Sequence, residues 1–365
     1  MTHLPDENAP EAGHRRDEAG RLVVGRHADV VAAARDPRTF SNAVSRHRQV
    51  PNGLDGPEHA EFRALLDPFF DAERMRELEP ELASLASEVV ADVADVGSFD
   101  AVGDLGSRFA VRAQSRWLGW RAGLEDELLG WVADNRAASR SGDRGRTQEV
   151  ADRFDAIIHS LLDERRGPDA PDDLTAELMR LRRDDGSHVG EGDLVSILRN
   201  WTGGDLSSLA LCAGVVVHWL ATHPDAQSAL AEAGDAELDA AIDEMLRLDD
   251  PFVANRRVAT ADTTVSGCPV AAGEQVLLDW REANRDPEAF ADPGVFDPHA
   301  HAAANLVYGT GPHVCPGRPL ATLELRVLAR ALLAAGRVEL DESRPAVREE
   351  APVSGFRSVW VRLAD

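Results

Sequence analysis

The chain has 365 residues, a formal net charge of −25 and no lysine among its 39 strongly basic residues. That length allows a large core, and the acidity excludes non-specific nucleic-acid binding. Its 3 cysteines, Cys212, Cys268 and Cys315, are far apart and odd in number, which excludes a disulfide framework and points to a reducing compartment. Residues 1–20 are polar and carry no signal-like apolar segment, and no uninterrupted apolar run is long enough to span a bilayer. A cytoplasmic protein with no membrane contact is therefore expected.

In chain order, residues 1–20 are expected to form a flexible tail and residues 21–365 a single domain, because no Pro/Gly/Ser-rich linker or internal repeat divides them. Residues 21–24 read as a strand and 27–35 as a helix. Residues 42–57 are rich in polar residues, Pro and Gly and read as a loop. His59 and Arg63, four apart, share one face of the helix that follows. From 79 to 164 apolar residues recur at three- and four-residue spacing, one helix after another. Within this region, residues 137–146, full of Ser, Arg and Gly, read as a mobile surface loop.

Residues 192–223 predict one helix long enough to cross the molecule, with Asp193 as a candidate cap. Gly203 and Gly204 lie in its middle, where each glycine costs about 1 kcal/mol relative to alanine. That cost points to a ligand approaching closely at Gly204. Asp205 and Ser208 are three apart and share a face, and Ser207 stands between them. Another helix, over 239–248, carries Glu244 and Arg247 at i and i+3. Residues 263–278 alternate like a small antiparallel sheet, and 355–361 read as a closing strand. Helices outnumber strands, so the fold class is mainly α with a small β part.

Tyr308-Gly-Thr-Gly-Pro-His313-Val-Cys315-Pro-Gly317 is the stretch around which the rest is organised. Its glycines permit tight turns and close approach to something bulky. A helical pattern follows at once, so Cys315 is expected near exposed N–H groups and the positive dipole end, which favour the thiolate. A thiolate on a stiff loop suits an iron ligand.

The pattern Tyr308-Gly309-x-Gly311-x-His313-x-Cys315-x-Gly317 resembles the cysteine-ligand signature of the cytochrome P450 family, with Tyr308 where Phe is usual. Glu244-x-x-Arg247, then Arg257, then residues 283–297 follow the family's order. The resemblance implies the triangular, single-domain cytochrome P450 fold and haem b (iron-protoporphyrin IX) as cofactor, with Cys315 on the iron. It implies that His59, Arg63, Arg257 and His313 hold the haem propionates, Arg256 being the competitor for Arg257 if the register is off by one. Gly204, Tyr308 and Gly317 are expected against the cofactor. Two departures stand out. The usual acid–Thr pair is missing: a gapless alignment puts Ser208 at the Thr position, and one matching the glycines puts Ser207 there, with Asp205 available one turn earlier to deliver protons. Ala300 replaces an Arg that normally completes a triad with Glu244 and Arg247, so His299 or His301 substitutes or the pair stands alone.

The resemblance implies a haem-thiolate monooxygenase that oxidises a small organic substrate with O2 and electrons from a ferredoxin-type partner. Arg63, Arg74, Arg76, Arg318 and Arg326 would form a basic island for an acidic ferredoxin. A peroxide-driven or oxidative-coupling enzyme and a non-catalytic haem-thiolate ligand-binding protein are the alternatives.

Overall fold

The computed structural model describes residues 14–351 and 353–364. Residues 1–13, most of the expected tail, lie outside the described residues. Order begins before residue 21: strand β1 (Arg15–Arg16) pairs antiparallel with β2 (Leu22–Val24). All three side chains of β2 are buried, and it runs parallel to β8 (Gln275–Asp279) with Leu22 opposite Val276. Strands β5 (Ala254–Ala259) and β3 (Phe40–Ser41) complete a sheet of order β1-β2-β8-β5-β3. A second sheet sets β4 (Phe99–Asp100) and β9 (Arg337–Leu340) on either side of β12 (Trp360–Ala364). Two further strand pairs are β6 (Thr263–Val265) with β7 (Cys268–Val270), and β10 (Val347–Arg348) with β11 (Phe356–Ser358).

Helices make up most of the remainder. In order they are α1 (His27–Ala34), α2 (Gly56–Leu66), α3 (Ala72–Ala94), α4 (Ser107–Leu118), α5 (Glu125–Ser141), α6 (Arg144–Asp163) and α7 (Leu174–Met179). Then come α8 (Glu191–Thr222), α9 (Pro224–Glu232), α10 (Asp235–Leu248), the short α11 (Trp280–Ala283) and α12 (Pro298–His301), and α13 (Arg318–Ala335).

The mobile loop expected at 137–146 is instead a tight corner. Helix α5 continues to Ser141 because nothing in its Ala-rich end breaks a helix. Gly142 closes it in the left-handed region (φ 64°), and Asp143 caps α6 by accepting from the Gly145 and Arg146 N–H groups. A second correction concerns α8: its N-cap is Gly190, and Asp193 accepts from Arg48 Nε at 2.7 Å rather than capping the helix.

At 1.5 Å per residue α8 runs about 48 Å, and it buries apolar residues on nearly every side. It is long and apolar enough to cross a membrane by length and composition, but 61% of its most apolar window is buried inside the fold. It packs on α4, α6, α10 and α13, and α13 packs on α3. Helix α13 is directly preceded by the Cys315 loop, so that loop faces α8 across the cavity described next. All three cysteines are free thiols.

Candidate active site

Gly309 and Gly311 both have positive φ (69° and 76°). A Cβ at Gly311 would come 2.6 Å from the Ala34 carbonyl oxygen, so only glycine lets the loop pass the end of α1. Cys315 N donates to the Tyr308 carbonyl at 3.0 Å, closing the turn. Arg63 braces the same loop from α2: Nη1 donates to the carbonyls of Pro312 (3.0 Å) and Val314 (2.9 Å), and Nε to Asp67 at 2.6 Å. Sequence reasoning gives Arg63 to a propionate and to the basic island, and misses this bracing role. The Arg318 guanidinium lies 5.0 Å over the Tyr308 ring.

The Cys315 side chain opens onto a cavity of about 410 Å³. Here the surroundings of the sulfur oppose the expected thiolate preference. Burial pushes the Cys315 thiol up, outweighing the N–H of Gly317 and the charge of Arg63, which pull the other way. A metal ion reverses that balance, because a coordinating thiol is deprotonated outright.

On the facing wall, α8 presents Gly204, Asp205, Ser208 and Cys212. Ser207 does not line the cavity, being about 100° round the helix from Ser208, and its Oγ is buried with no partner. The structure therefore favours Ser208 of the two serines. A Cβ on Gly203 would meet the rings of Trp131 and Phe154, whereas one on Gly204 would meet nothing within 4 Å. Gly204 thus leaves the wall open where a flat ligand would lie. Asp205 Oδ2 is buried with no partner, and burial pushes its carboxyl up to about 7. Behind it, Glu324 on α13 is 0% exposed and neither carboxyl oxygen has a partner. Burial first, and Asp205 second, push it far above the carboxylate range. Sequence reasoning missed Glu324; the signal was an acid on the Leu-rich buried face of α13.

A polar corner closes one end of the cavity. Arg257 on β5 is 4% exposed and lines it, while Arg256 is exposed and does not. Arg257 forms no ion pair among the described residues, its Nε has no acceptor, and burial lowers it to about 10 against the pull of Asp55. His59 packs against His313 with ring centroids 4.0 Å apart and planes tilted by 35°. His59 was expected to make charge-assisted bonds, but burial, with His313 and Arg63 beside it, lowers it to about 4. That favours the neutral imidazole. His313 Nε2 lies 3.2 Å from Asp55 Oδ1.

Beneath this layer, Arg247 is 1% exposed. Its Nε and Nη2 each meet a Glu244 oxygen at 2.7 Å, and Nη1 donates to the carbonyls of Asn284 (2.8 Å) and Pro293 (2.9 Å). Glu244 Oε1 also accepts from Asp297 N at 3.0 Å and lies 2.7 Å from His301 Nδ1. His301, not His299, therefore stands where the resemblance expects an Arg, because α12 turns it inward. The whole segment leading to the cysteine loop hangs on this buried pair.

Comparison with known proteins agrees with this geometry. Residues 142–358 match the family model for cytochrome P450. Cyclomarin C epoxidase of Salinispora arenicola is 31% identical over 84% of this chain and 81% of its own length. The chain belongs to the cytochrome P450 family. Erythromycin C-12 hydroxylase of Saccharopolyspora erythraea is 30% identical over 95% of this chain and 90% of its own. The solved open cytochrome P450 EryK from S. erythraea superposes with a TM-score of 0.86 at 27% identity, covering 96% of this chain and 92% of that one. The fold is thus the mainly α, single-domain cytochrome P450 fold, the enzyme is an oxidoreductase of the monooxygenase type, and its cofactor is haem b. Relatives named for hydroxylation and epoxidation set aside the reading of a non-catalytic ligand-binding protein.

The residues of this cytochrome P450 fit that cofactor. A thiol faces an open glycine across the cavity, and a buried guanidinium that makes no ion pair among the described residues, its Nε without an acceptor, stands at one end. The expected basic island does not survive intact. Arg74 makes two bonds to Glu177, Arg318 bonds Asp243 at 2.8 Å, and Arg326 bonds Glu79 and Asp239. With Arg63 bonded to Asp67, acids offset four of the five cations, leaving exposed Arg76.

Proposed function

We propose that this monooxygenase, with residues 21–365 as its cytochrome P450 domain, works in the cytoplasm on a small organic substrate and takes electrons from a ferredoxin-type partner. The observation that carries the reading is the placement of Cys315 on one wall of the cavity opposite Gly204, Asp205 and Ser208 on the other. Bound haem, ligated by Cys315, supplies O2 activation, and thiolate ligation favours O–O cleavage. Arg257 and His313 hold its carboxylates, Arg63 steadies the ligand loop, and Tyr308 and Gly317 line the cofactor's surroundings. The relatives' names support oxidation of an organic molecule. The test is product formation: turnover with O2, ferredoxin and reductase supports the reading. Turnover with peroxide alone, and none with the reductase system, would sink it in favour of a peroxide-driven enzyme.

Asp205 holds the proton to be delivered, and Ser208 positions the water or oxygen atom that receives it. Because burial raises Asp205 to about 7, its protonated fraction falls as pH rises through that value, so turnover is expected to fall on the alkaline side. Asp205→Asn is expected to flatten that limb and to lower turnover roughly 10²- to 10⁴-fold, the usual weight of a positioned acid. The same shift sets a stability trend. A folded pKa above the unfolded one means that the contribution of Asp205 is fully present below about 4 and is lost as pH rises toward 7. Thermal melts of the haem-free protein against pH check this, with a shallower slope expected in Asp205→Asn.

Arg257→Ala is expected to lower haem occupancy after expression, since the variant leaves a buried carboxylate underpaired. The haem-to-protein absorbance ratio measures it. Full loading would return Arg257 to a structural role in β5.

A further inference from the structure

The antiparallel pairing of β3 with β5 sets Phe40 opposite Ala259 and Ser41 opposite Val258. One more step in that register places Asn42 across from Arg257. Residues facing each other across two strands project to the same side, and both Asn42 and Arg257 line the cavity. Asn42 is 8% exposed and Arg257 4%. Each leaves a buried N–H group without an acceptor, Asn42 at Nδ2 and Arg257 at Nε. Buried donors are almost always satisfied in folded proteins, and leaving one orphaned costs about 1–3 kcal/mol. Two such donors side by side on one wall call for an anionic acceptor from outside the chain.

Neighbouring groups do not supply that acceptor. Asp55 is near, but Ser41 Oγ (2.5 Å) and the Asn42 backbone N (3.1 Å) donate to its Oδ2, and His313 Nε2 lies 3.2 Å from its Oδ1. These bonds fix the Asn42 backbone while leaving its amide turned to the cavity. Of the two imidazoles of this corner, His313 meets Asp55, and burial lowers His59 to about 4. Among the described residues Arg257 thus makes no ion pair, and the Asn42 amide N–H has no acceptor.

We propose that Asn42 is a haem-carboxylate anchor: its Nδ2 donates to the same carboxylate that Arg257 neutralises. This rests on the assignment of Arg257 to a haem carboxylate. A hydrogen bond to a charged acceptor is among the stronger ones, so its loss is expected to speed haem release about tenfold.

The experiment measures haem transfer from the holoprotein to excess apomyoglobin in the original chain, Asn42→Ala, Asn42→Asp and Arg257→Ala. Asn42→Asp keeps the side-chain volume, sets a second carboxylate against the first, and is expected to lose haem faster than Asn42→Ala. The carbonyl-bound spectrum of each variant verifies that the thiolate site is still formed. The same proteins are then loaded with an iron porphyrin whose two carboxylates are replaced by alkyl groups. With that porphyrin the Asn42→Ala difference is expected to vanish, as a double-mutant cycle requires. If Asn42→Ala persists in speeding release of the alkyl porphyrin, Asn42 merely supports the strand and the proposal is overturned. If Asn42→Ala releases haem at the original rate while Arg257→Ala releases it faster, Asn42 has no such role. If both release haem at the original rate, the assignment of Arg257 fails as well. A change confined to substrate-induced spectral shifts would give Asn42 to the substrate and likewise overturn the proposal.

Discussion

Cys315→Ser is expected to abolish monooxygenase turnover and to replace the thiolate-type spectrum of the reduced, carbonyl-bound enzyme. The thiol opens directly onto the cavity, and its loop is fixed by the Cys315 N–H bond to Tyr308 and by two Arg63 bonds to carbonyls. The substitution should therefore change the donor atom without moving the loop. A neutral hydroxyl donates far less electron density to iron than a thiolate, and that donation is what favours O–O cleavage. Because burial already pushes the Cys315 thiol up, the metal itself must draw off the proton on binding. Haem binding should accordingly release a proton in the original chain and none in Cys315→Ser. Calorimetry in two buffers of different ionisation enthalpy reads that difference. A thiolate-type carbonyl spectrum in the serine variant would remove Cys315 from the role.

What could be read from the sequence was what depends on local spacing. The cysteine loop, the Glu244/Arg247 pair and the single long helix α8 are each defined within a few turns of chain, and their positions follow from periodicity and glycine placement. What escaped depends on partners far away in sequence. Arg74, Arg318 and Arg326 look like free cations until α7 and α10 bring Glu177, Asp243 and Asp239 to them. Asn42 carries no motif; only the β3–β5 register sets it beside Arg257. The thiolate cue at Cys315 is a local one, the helix end, whereas the desolvation that opposes it is set by distant parts of the chain. The corner at Gly142 and Asp143 was legible in principle, since a Gly followed by Asp is a helix stop and then a helix start. Its Ser and Arg neighbours suggested a longer loop than two residues make.

Arg247→Leu is expected to destabilise the fold by about 3–5 kcal/mol, the usual cost of removing one partner from a buried ion pair. The loss reaches the active site because Arg247 also holds the carbonyls of Asn284, Pro293 and Val295 in the segment that leads to the cysteine loop. Its pH dependence gives a sharper check than its size. In the original chain, burial alone would raise Glu244, but the bonds from Arg247, His301 and the Asp297 N–H overcome it and hold the carboxyl below its usual range. A depressed pKa contributes stability that is present above the unfolded value, about 4.3 for Glu, and is lost as pH falls through the folded one. Removing Arg247 leaves burial as the dominant influence, so Glu244 should then lie above the unfolded value. The sign reverses: the variant is most destabilised at neutral pH and recovers part of the deficit on acidification through the carboxylate range. Urea unfolding of both haem-free proteins at several pH values between 4 and 8 tests this. A stability gap that stays constant or widens on acidification would mean that His301 and the Asp297 N–H suffice to hold Glu244 ionised. In that case the guanidinium serves mainly as a clamp on the three carbonyls.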